Sequence, residues 1–199
     1  MTSRAELRKN LRQQRRTLSK EQQHHHARQL ANHLAHSPLF RPTQHIACYL
    51  ANDGEIDLSP LMQRAWKMGK HCYLPILGEG KEKRMWFAPY ESDTPLKANR
   101  YGIPEPVCHA SDWLEPHQLD LVLMPLVGFD NQGNRLGMGG GFYDRSFAFL
   151  NQPHSIKKPR LVGIAHELQR VAALPFESWD VPMNAIVTEA GLQRIKPKA

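Results

Sequence analysis

At 199 residues, with 41% hydrophobic and 23% charged residues, the chain is long enough to bury roughly 70% of its unfolded surface and is composed like a globular protein. No apolar run approaches the roughly 20 residues of a membrane span, and the basic N-terminus lacks the apolar stretch of a signal peptide, so a cytoplasmic chain without membrane contacts is expected. A formal charge of +7 favours anionic partners, but no helix-turn-helix, RNA-recognition or zinc-finger signature accompanies it, so nucleic acid is not expected.

Ser3 and Glu6 have capping-box spacing and open a helix over "SRAELRKNLRQQRRTLS", with Leu7 and Leu11 as its narrow apolar stripe. Arg4, Arg8, Arg12 and Arg15 or Arg16 recur at helical spacing. Two readings fit them, a solvated charged face or a basic stripe with an anion to hold. Ser19 and Gln22 cap a second helix with Ala27, Leu30, Ala31 and Leu34 on one face, and Ser37-Pro38 ends it. The consecutive His24, His25 and His26 point around this helix, so they are not expected to hold a metal together.

Strands and helices then alternate. "HIACYL" (45–50) reads as a buried strand, "SPLMQRAWKMG" as a helix capped by Ser59 with Pro60 in its first turn and Gly69 as its stop, and "HCYLPIL" as the next strand. "RMWFAP" is a short strand, followed by the Pro- and Gly-containing loop "YGIPEP" and by "LDLVLMPLVGF", the most apolar segment. "FYDRSFAFL" reads as a helix, and "RLVGIAH" and "NAIVTE" as the last strands. The order predicts one α/β domain over 1–199, Rossmann-like and three-layered, a largely parallel sheet with helices on both faces. Cys48, Cys72 and Cys108 lack metal-ligand spacing; Cys48 and Cys72, in apolar runs, read as reduced core thiols.

Between the apolar strand and the helix at 142 lies "GNRLGMGGG". Gly137, Gly139, Gly140 and Gly141 must serve either a tight corner or a close backbone approach to a ligand. Strand, glycine-rich turn and helix start is an arrangement that points backbone N–H groups at a phosphate, and Arg135 would add a bidentate charged donor. The ribbon fits neither GxGxxG nor the Walker A pattern.

"RLGMGGGFYDR" resembles the signature of the 5-formyltetrahydrofolate cyclo-ligases, also called 5,10-methenyltetrahydrofolate synthetases. That signature usually reads RLG, one variable residue, Gly, one variable residue, then GYYD. The likeness extends to the basic N-terminal helix, "GEIDLSPL", "YLP", "YGIPEP", "VLMPLVGFD" and "WDVPMNAIVTE". It implies an ATP- and magnesium-dependent closure of 5-formyltetrahydrofolate, with or without a polyglutamate tail, to the 5,10-methenyl compound with release of ADP and phosphate; a monomer is expected. Under the resemblance Arg4, Arg8, Arg135, Gly137, Gly139, Gly140, Gly141 and Tyr143 bind the nucleotide, with Arg135 and Tyr143 also catalytic. Glu55, Phe142 and Tyr143 bind the folate, and Asp144 and Asp180 bind magnesium.

Bland alternatives stand beside each role: Glu55 as an exposed turn carboxylate, Phe142 and Tyr143 as core, Asp180 as a turn cap. The chain departs from the family at Arg4, where others carry lysine, at Met138 and Gly140, where some carry basic residues, and at Phe142, which replaces a tyrosine. Another phosphate-binding enzyme on a similar sheet, of the sugar-phosphate isomerase or CoA transferase type, would share the ribbon but not the accompanying segments. A basic nucleic-acid-binding protein would account for the charge alone.

Overall fold

The structure, a computed structural model, describes residues 3–78, 84–152, 158–177 and 179–196. Both serine capping boxes form as the sequence predicts, and they start α1 (Arg4–Arg16) and α2 (Lys20–Ala35). β1 (His45–Ala47), α3 (Ser59–Lys67) and β2 (His71–Leu77) follow as a βαβ unit. Then come β3 (Met85–Tyr90), the hairpin of β4 (Leu96–Ala98) and β5 (Pro104–Pro106), and β6 (Leu121–Pro125). A second small hairpin, β7 (Gly128–Phe129) with β8 (Arg135–Leu136), leads through the glycine ribbon into α4 (Phe142–Ser146). β9 (Arg160–Ile164), β10 (Ala185–Thr188) and β11 (Gly191–Arg194) complete the chain.

The seven-stranded sheet has the order β11-β10-β9-β6-β1-β2-β3. The five inner strands are parallel, and only the edges β3 and β11 run antiparallel. From β1 the chain moves outward to β2, and from β6 it moves the other way to β9 and β10. Because crossovers of a parallel sheet share one hand, connections travelling in opposite directions cover opposite faces. α3 therefore lies with α2 on one face, while α4 and the turns after it close the other.

β6 sits between the two layers and explains its unbroken apolar run: Leu121 and Leu123 pack with α2 and α3, and Val122 and Met124 pack on the opposite face with Phe87, Phe129 and Phe147. The direction of travel reverses between the neighbours β1 and β6. In open parallel sheets such a reversal leaves a crevice beyond the carboxyl ends of the strands.

Several local expectations shift. Only 45–47 of the predicted first strand pair as β1, because the chain turns away to a left-handed Asp53 (φ 54°). Ser59 is not the cap of α3; Leu58 holds that position, and Asp57 Oδ1 accepts from the Ser59 N–H at 2.9 Å and its hydroxyl at 2.7 Å. The helix read over 142–150 is five residues of α4 and then a 3-10 turn at Ala148–Asn151. β11, with little apolar patterning, has no counterpart in the sequence reading. Among the described residues, no helix is long and apolar enough to cross a membrane.

Candidate active site

α1 lies over the crevice on a small apolar footing: Leu11 is its one buried hydrophobe and packs with Val127, Leu136 and Leu174. The arginine stripe does the rest of the docking. Arg15, fully buried, donates through Nε to the Asp53 carbonyl (2.7 Å), through Nη1 to the Leu126 carbonyl (3.3 Å) and through Nη2 to Asp53 Oδ2 (3.0 Å). One side chain thus ties the helix to the segments leaving β1 and β6, the two strands that flank the switch. Arg12 Nε donates to Asp53 Oδ2 at 2.6 Å, and Arg16 pairs with Asp53 Oδ1. Burial pushes the Asp53 carboxyl up, but the Arg12 and Arg16 hydrogen bonds more than offset it and leave its pKa below the ordinary value.

Arg8 and Arg4 reach the other end of the crevice. Arg8 Nε donates to the Gly137 carbonyl at 2.8 Å, and its guanidinium carbon lies 3.7 Å from where a Cβ on Gly139 would stand. Desolvation and the neighbouring Arg4 lower the pKa of Arg8, a sign that two cations are held close. Arg4 lies 3.7 Å from Glu177, and among the described residues its buried Nε has no hydrogen-bond partner. A buried charged donor favours an acceptor beside it. The stripe is therefore not a solvated face: Arg12, Arg15 and Arg16 position the loop after β1, and Arg4 and Arg8 face the ribbon.

The ribbon runs open to this crevice. Gly139 (φ 92°) and Gly141 (φ 70°) have left-handed backbones that side chains rarely adopt, and a Cβ on Gly141 would meet Arg145 Nη1 at 2.6 Å. Gly137 has no such requirement; its Cβ would meet nothing within 4 Å. A corner explains Gly139 and Gly141, whereas the bare backbone at Gly137 fits close approach by a ligand.

These parts bound one cleft of about 750 Å³, within the size range of small-molecule sites. Part of its lining is apolar. Phe142 and Tyr101 meet edge to face at 6.4 Å between centroids, and Ile103, Met138 and Trp179 project from the rim, each more than a third exposed. Tyr101 and Ile103 come from "YGIPEP", which reaches the cleft because Glu105 Oε1 accepts from the Leu77 N–H at the end of β2 (2.8 Å) and from Asn99 Nδ2 (2.7 Å). Tyr143 lines the wall and stacks on Phe147 behind it, so it is both wall and core edge. Burial, with Glu55 nearby, pushes its phenol pKa well up, so it stays protonated as a donor.

Glu55 is not the exposed turn carboxylate that its loop suggests. Its side chain is 14% exposed, Oε1 lies 3.6 Å from Arg15 Nη2, and Oε2 accepts from the Asn52 N–H at 3.2 Å. Burial raises its pKa despite the pull of Arg15 and of that N–H. A carboxylate so placed is held in the cleft as an acceptor.

Three candidates have protein partners that the sequence did not foretell. Arg135 is paired with Asp144 Oδ1 and also donates to the Val181 carbonyl, and Asp144 accepts from the Val181 N–H at 3.3 Å. Asp180 Oδ2 accepts from the Glu177 N–H at 3.0 Å, which makes it a turn cap as well as a lining residue. For each carboxylate one oxygen is engaged, and the other makes no hydrogen bond among the described residues. All the predicted site residues line this cleft. Asp53 and the rim residues Trp179, Ile103 and Tyr101 are not among the predicted site residues; the Asn-Asp-Gly turn, the "WDVP" segment and the "YGIPEP" loop are their sequence signals.

A model of the 5-formyltetrahydrofolate cyclo-ligase family matches residues 1–189. A protein named 5-formyltetrahydrofolate cyclo-ligase from Escherichia coli (strain K12) is 41% identical over 178 residues, 89% of this chain and 96% of that protein. A protein of the same name from Haemophilus influenzae is 39% identical over 184 residues, 92% and 96% of the two chains. The NMR structure of Aquifex aeolicus 5,10-methenyltetrahydrofolate synthetase is similar with a TM-score of 0.79 at 30% identity, covering 98% of this chain and 94% of that one. The chain therefore belongs to the 5-formyltetrahydrofolate cyclo-ligase family and is an enzyme of that family.

Proposed function

We propose that the chain, acting as one domain, closes the ring of 5-formyltetrahydrofolate to the 5,10-methenyl compound at the expense of ATP, in the cleft between α1, the glycine ribbon and the loop after β1. The observation that carries this reading is that a single cleft brings together two kinds of lining, Arg4 and Arg8 with the bare backbone of the ribbon, and Glu55 with the rings of Tyr101, Phe142 and Tyr143. A triphosphate suits the first and a pterin the second.

In this reading the terminal phosphoryl group passes from ATP to the formyl oxygen, leaving ADP. The folate's bridge nitrogen then bonds to the activated formyl carbon, and the C–O bond breaks with release of phosphate. Such a transfer asks chiefly for alignment and charge neutralisation. Arg8 and Arg4 hold phosphate oxygens beside the Gly137–Gly141 amides, with Arg4 Nε gaining the acceptor it lacks. Glu55 accepts from pterin N–H groups, and its fixed place beside Arg15 sets the ring's orientation. Phe142 and Tyr143 wall the ring, and the protonated Tyr143 hydroxyl can donate to the formyl oxygen.

Magnesium, when bound with the nucleotide, would neutralise phosphate charge. The unengaged oxygens of Asp144 and Asp180 are the hard ligands suited to it, since this ion keeps several waters and takes few protein groups. Arg135 orients Asp144 through their ion pair.

The test is the ultraviolet spectrum of purified protein with 5-formyltetrahydrofolate, ATP and magnesium, read for the methenyl absorption band while ADP and phosphate are assayed. The expected result is methenyl product, ADP and phosphate in equal amounts. Product formed without ATP would refute the phosphoryl-transfer reading.

A further inference from the structure

Away from the cleft, His26, alone of the three consecutive histidines, is half-buried and meets residues distant in the chain. Its Nδ1 lies 2.9 Å from Nδ1 of His166 and 3.6 Å from Oε1 of Glu189. One ligand atom from each residue lies within 4.8 Å of the others. His26 comes from the middle of α2, His166 caps the 3-10 turn Glu167–Gln169 after β9, and Glu189 follows β10.

We propose that His26, His166 and Glu189 form a binding site for one divalent ion of the zinc class, separate from the nucleotide cleft, that clasps α2 to the ends of β9 and β10. Tetrahedral zinc with bonds of about 2.0–2.1 Å sets neighbouring ligand atoms about 3.3 Å apart, so the observed 2.9 and 3.6 Å need only small side-chain movements. His166 is fully buried, and its Nε2–H donates to the Gly54 carbonyl at 3.0 Å; that bond fixes the tautomer and leaves a lone pair on Nδ1, the second-shell arrangement of a metal-binding imidazole.

The Glu189 carboxylate is already oriented, since its two oxygens accept from the Glu167 N–H at 3.1 and 3.0 Å. Ligation transfers the proton on His26 Nδ1, which in the metal-free protein donates to His166 Nδ1, to His26 Nε2. Two neutral imidazoles and one carboxylate suit zinc and not magnesium. The side chains of His26 and Glu189 are 15% and 17% exposed, which leaves a path for entry and room for water as a fourth ligand.

The test uses the full chain, stripped with a chelator, titrated with zinc chloride by calorimetry and with cobalt(II) by visible absorption. Parent protein should take up one equivalent, melt at a higher temperature with zinc, and show cobalt bands of a four-coordinate site. His26→Ala and Glu189→Gln, shown by circular dichroism to be folded, should each weaken uptake by more than about tenfold. No saturable uptake by the parent, or equal uptake by both variants through other histidines, would overturn the proposal and leave a simple imidazole–imidazole hydrogen bond.

Discussion

Asp53→Asn isolates the charge that holds α1 to the loop after β1. Asparagine has nearly the same shape and tolerates the left-handed backbone at this position, so the change acts on hydrogen bonding and not on conformation. The aspartate accepts from Arg12 at 2.6 Å and from the buried Arg15 at 3.0 Å; the Arg16 side chain is 56% exposed, so its pairing contributes little. Both sheltered bonds end on Oδ2, so an asparagine oxygen placed there keeps the two without their charge assistance, while the amide N–H₂ faces the exposed Arg16. Arg15 keeps its carbonyl partners at Asp53 and Leu126, which limits the damage.

Removing the charge assistance from two bonds, about 1 kcal/mol each, gives a loss on the order of 2 kcal/mol. For a chain of this length each kcal/mol moves the melting temperature by roughly 2–4 °C, so a fall of about 4–8 °C is expected. The folded-state pKa of Asp53 is depressed, so its contribution is complete above the ordinary carboxyl value and disappears as pH falls through the folded one. Urea denaturation of both proteins from pH 7 down to pH 3 should show the stability gap closing only at the acid end. A variant that melts within about 1 °C of the parent at pH 7 would refute the role given to Asp53.

Gly137→Ala should leave the melting temperature unchanged, because the added methyl meets nothing within 4 Å, yet raise KM for ATP well above any effect on KM for the folate; a variant with parental kinetics would remove the ribbon's backbone from the nucleotide site. Glu55→Gln should raise KM for the folate by about 10- to 100-fold, the loss of one charged hydrogen bond. Because burial raises the folded pKa of Glu55, its ionisation subtracts stability as pH rises through that value, so the glutamine variant should gain on the parent in urea at pH 8 and lose that gain below about pH 4.3. Asp144→Asn should lower stability by about 1–3 kcal/mol, since Arg135 beside it is 9% exposed, and Asp180→Asn should not. Both should weaken the magnesium dependence of turnover, less than additively together; a normal titration in Asp180→Asn would leave that residue as a turn cap.

The apolar runs at 71–77 and 121–125 and the serine caps declared the sheet and its first two helices because burial and capping act over a few neighbouring residues. Charge pairing was not legible in this way. Arg135 and Asp144 each stood out as candidates, but that they spend an ion pair on one another depends on how the β7–β8 hairpin folds back on α4. The same holds for Asp53, an ordinary turn residue until α1 crosses it, and for His26, whose partners lie at residues 166 and 189. The glycine ribbon was legible as something unusual, but only the backbone angles separate Gly139 and Gly141, demanded by the corner, from Gly137, which the corner does not need.

The placement of α1 shows why a positively charged helix with one buried hydrophobe is retained over the cleft. Its C-terminal arginines grip the loop that carries Glu55, and Arg8, two turns earlier, grips the ribbon through the Gly137 carbonyl. The two ends of the cleft belong to segments that leave different strands, and the helix fastens both. An apolar helix could dock as firmly but would leave the ribbon without cations beside it, and a helix with free arginines would put cations there without fixing Glu55. Dividing the stripe, with Arg12 and Arg15 spent on the fold and Arg4 and Arg8 left at the cleft, answers both demands with residues one helical turn apart.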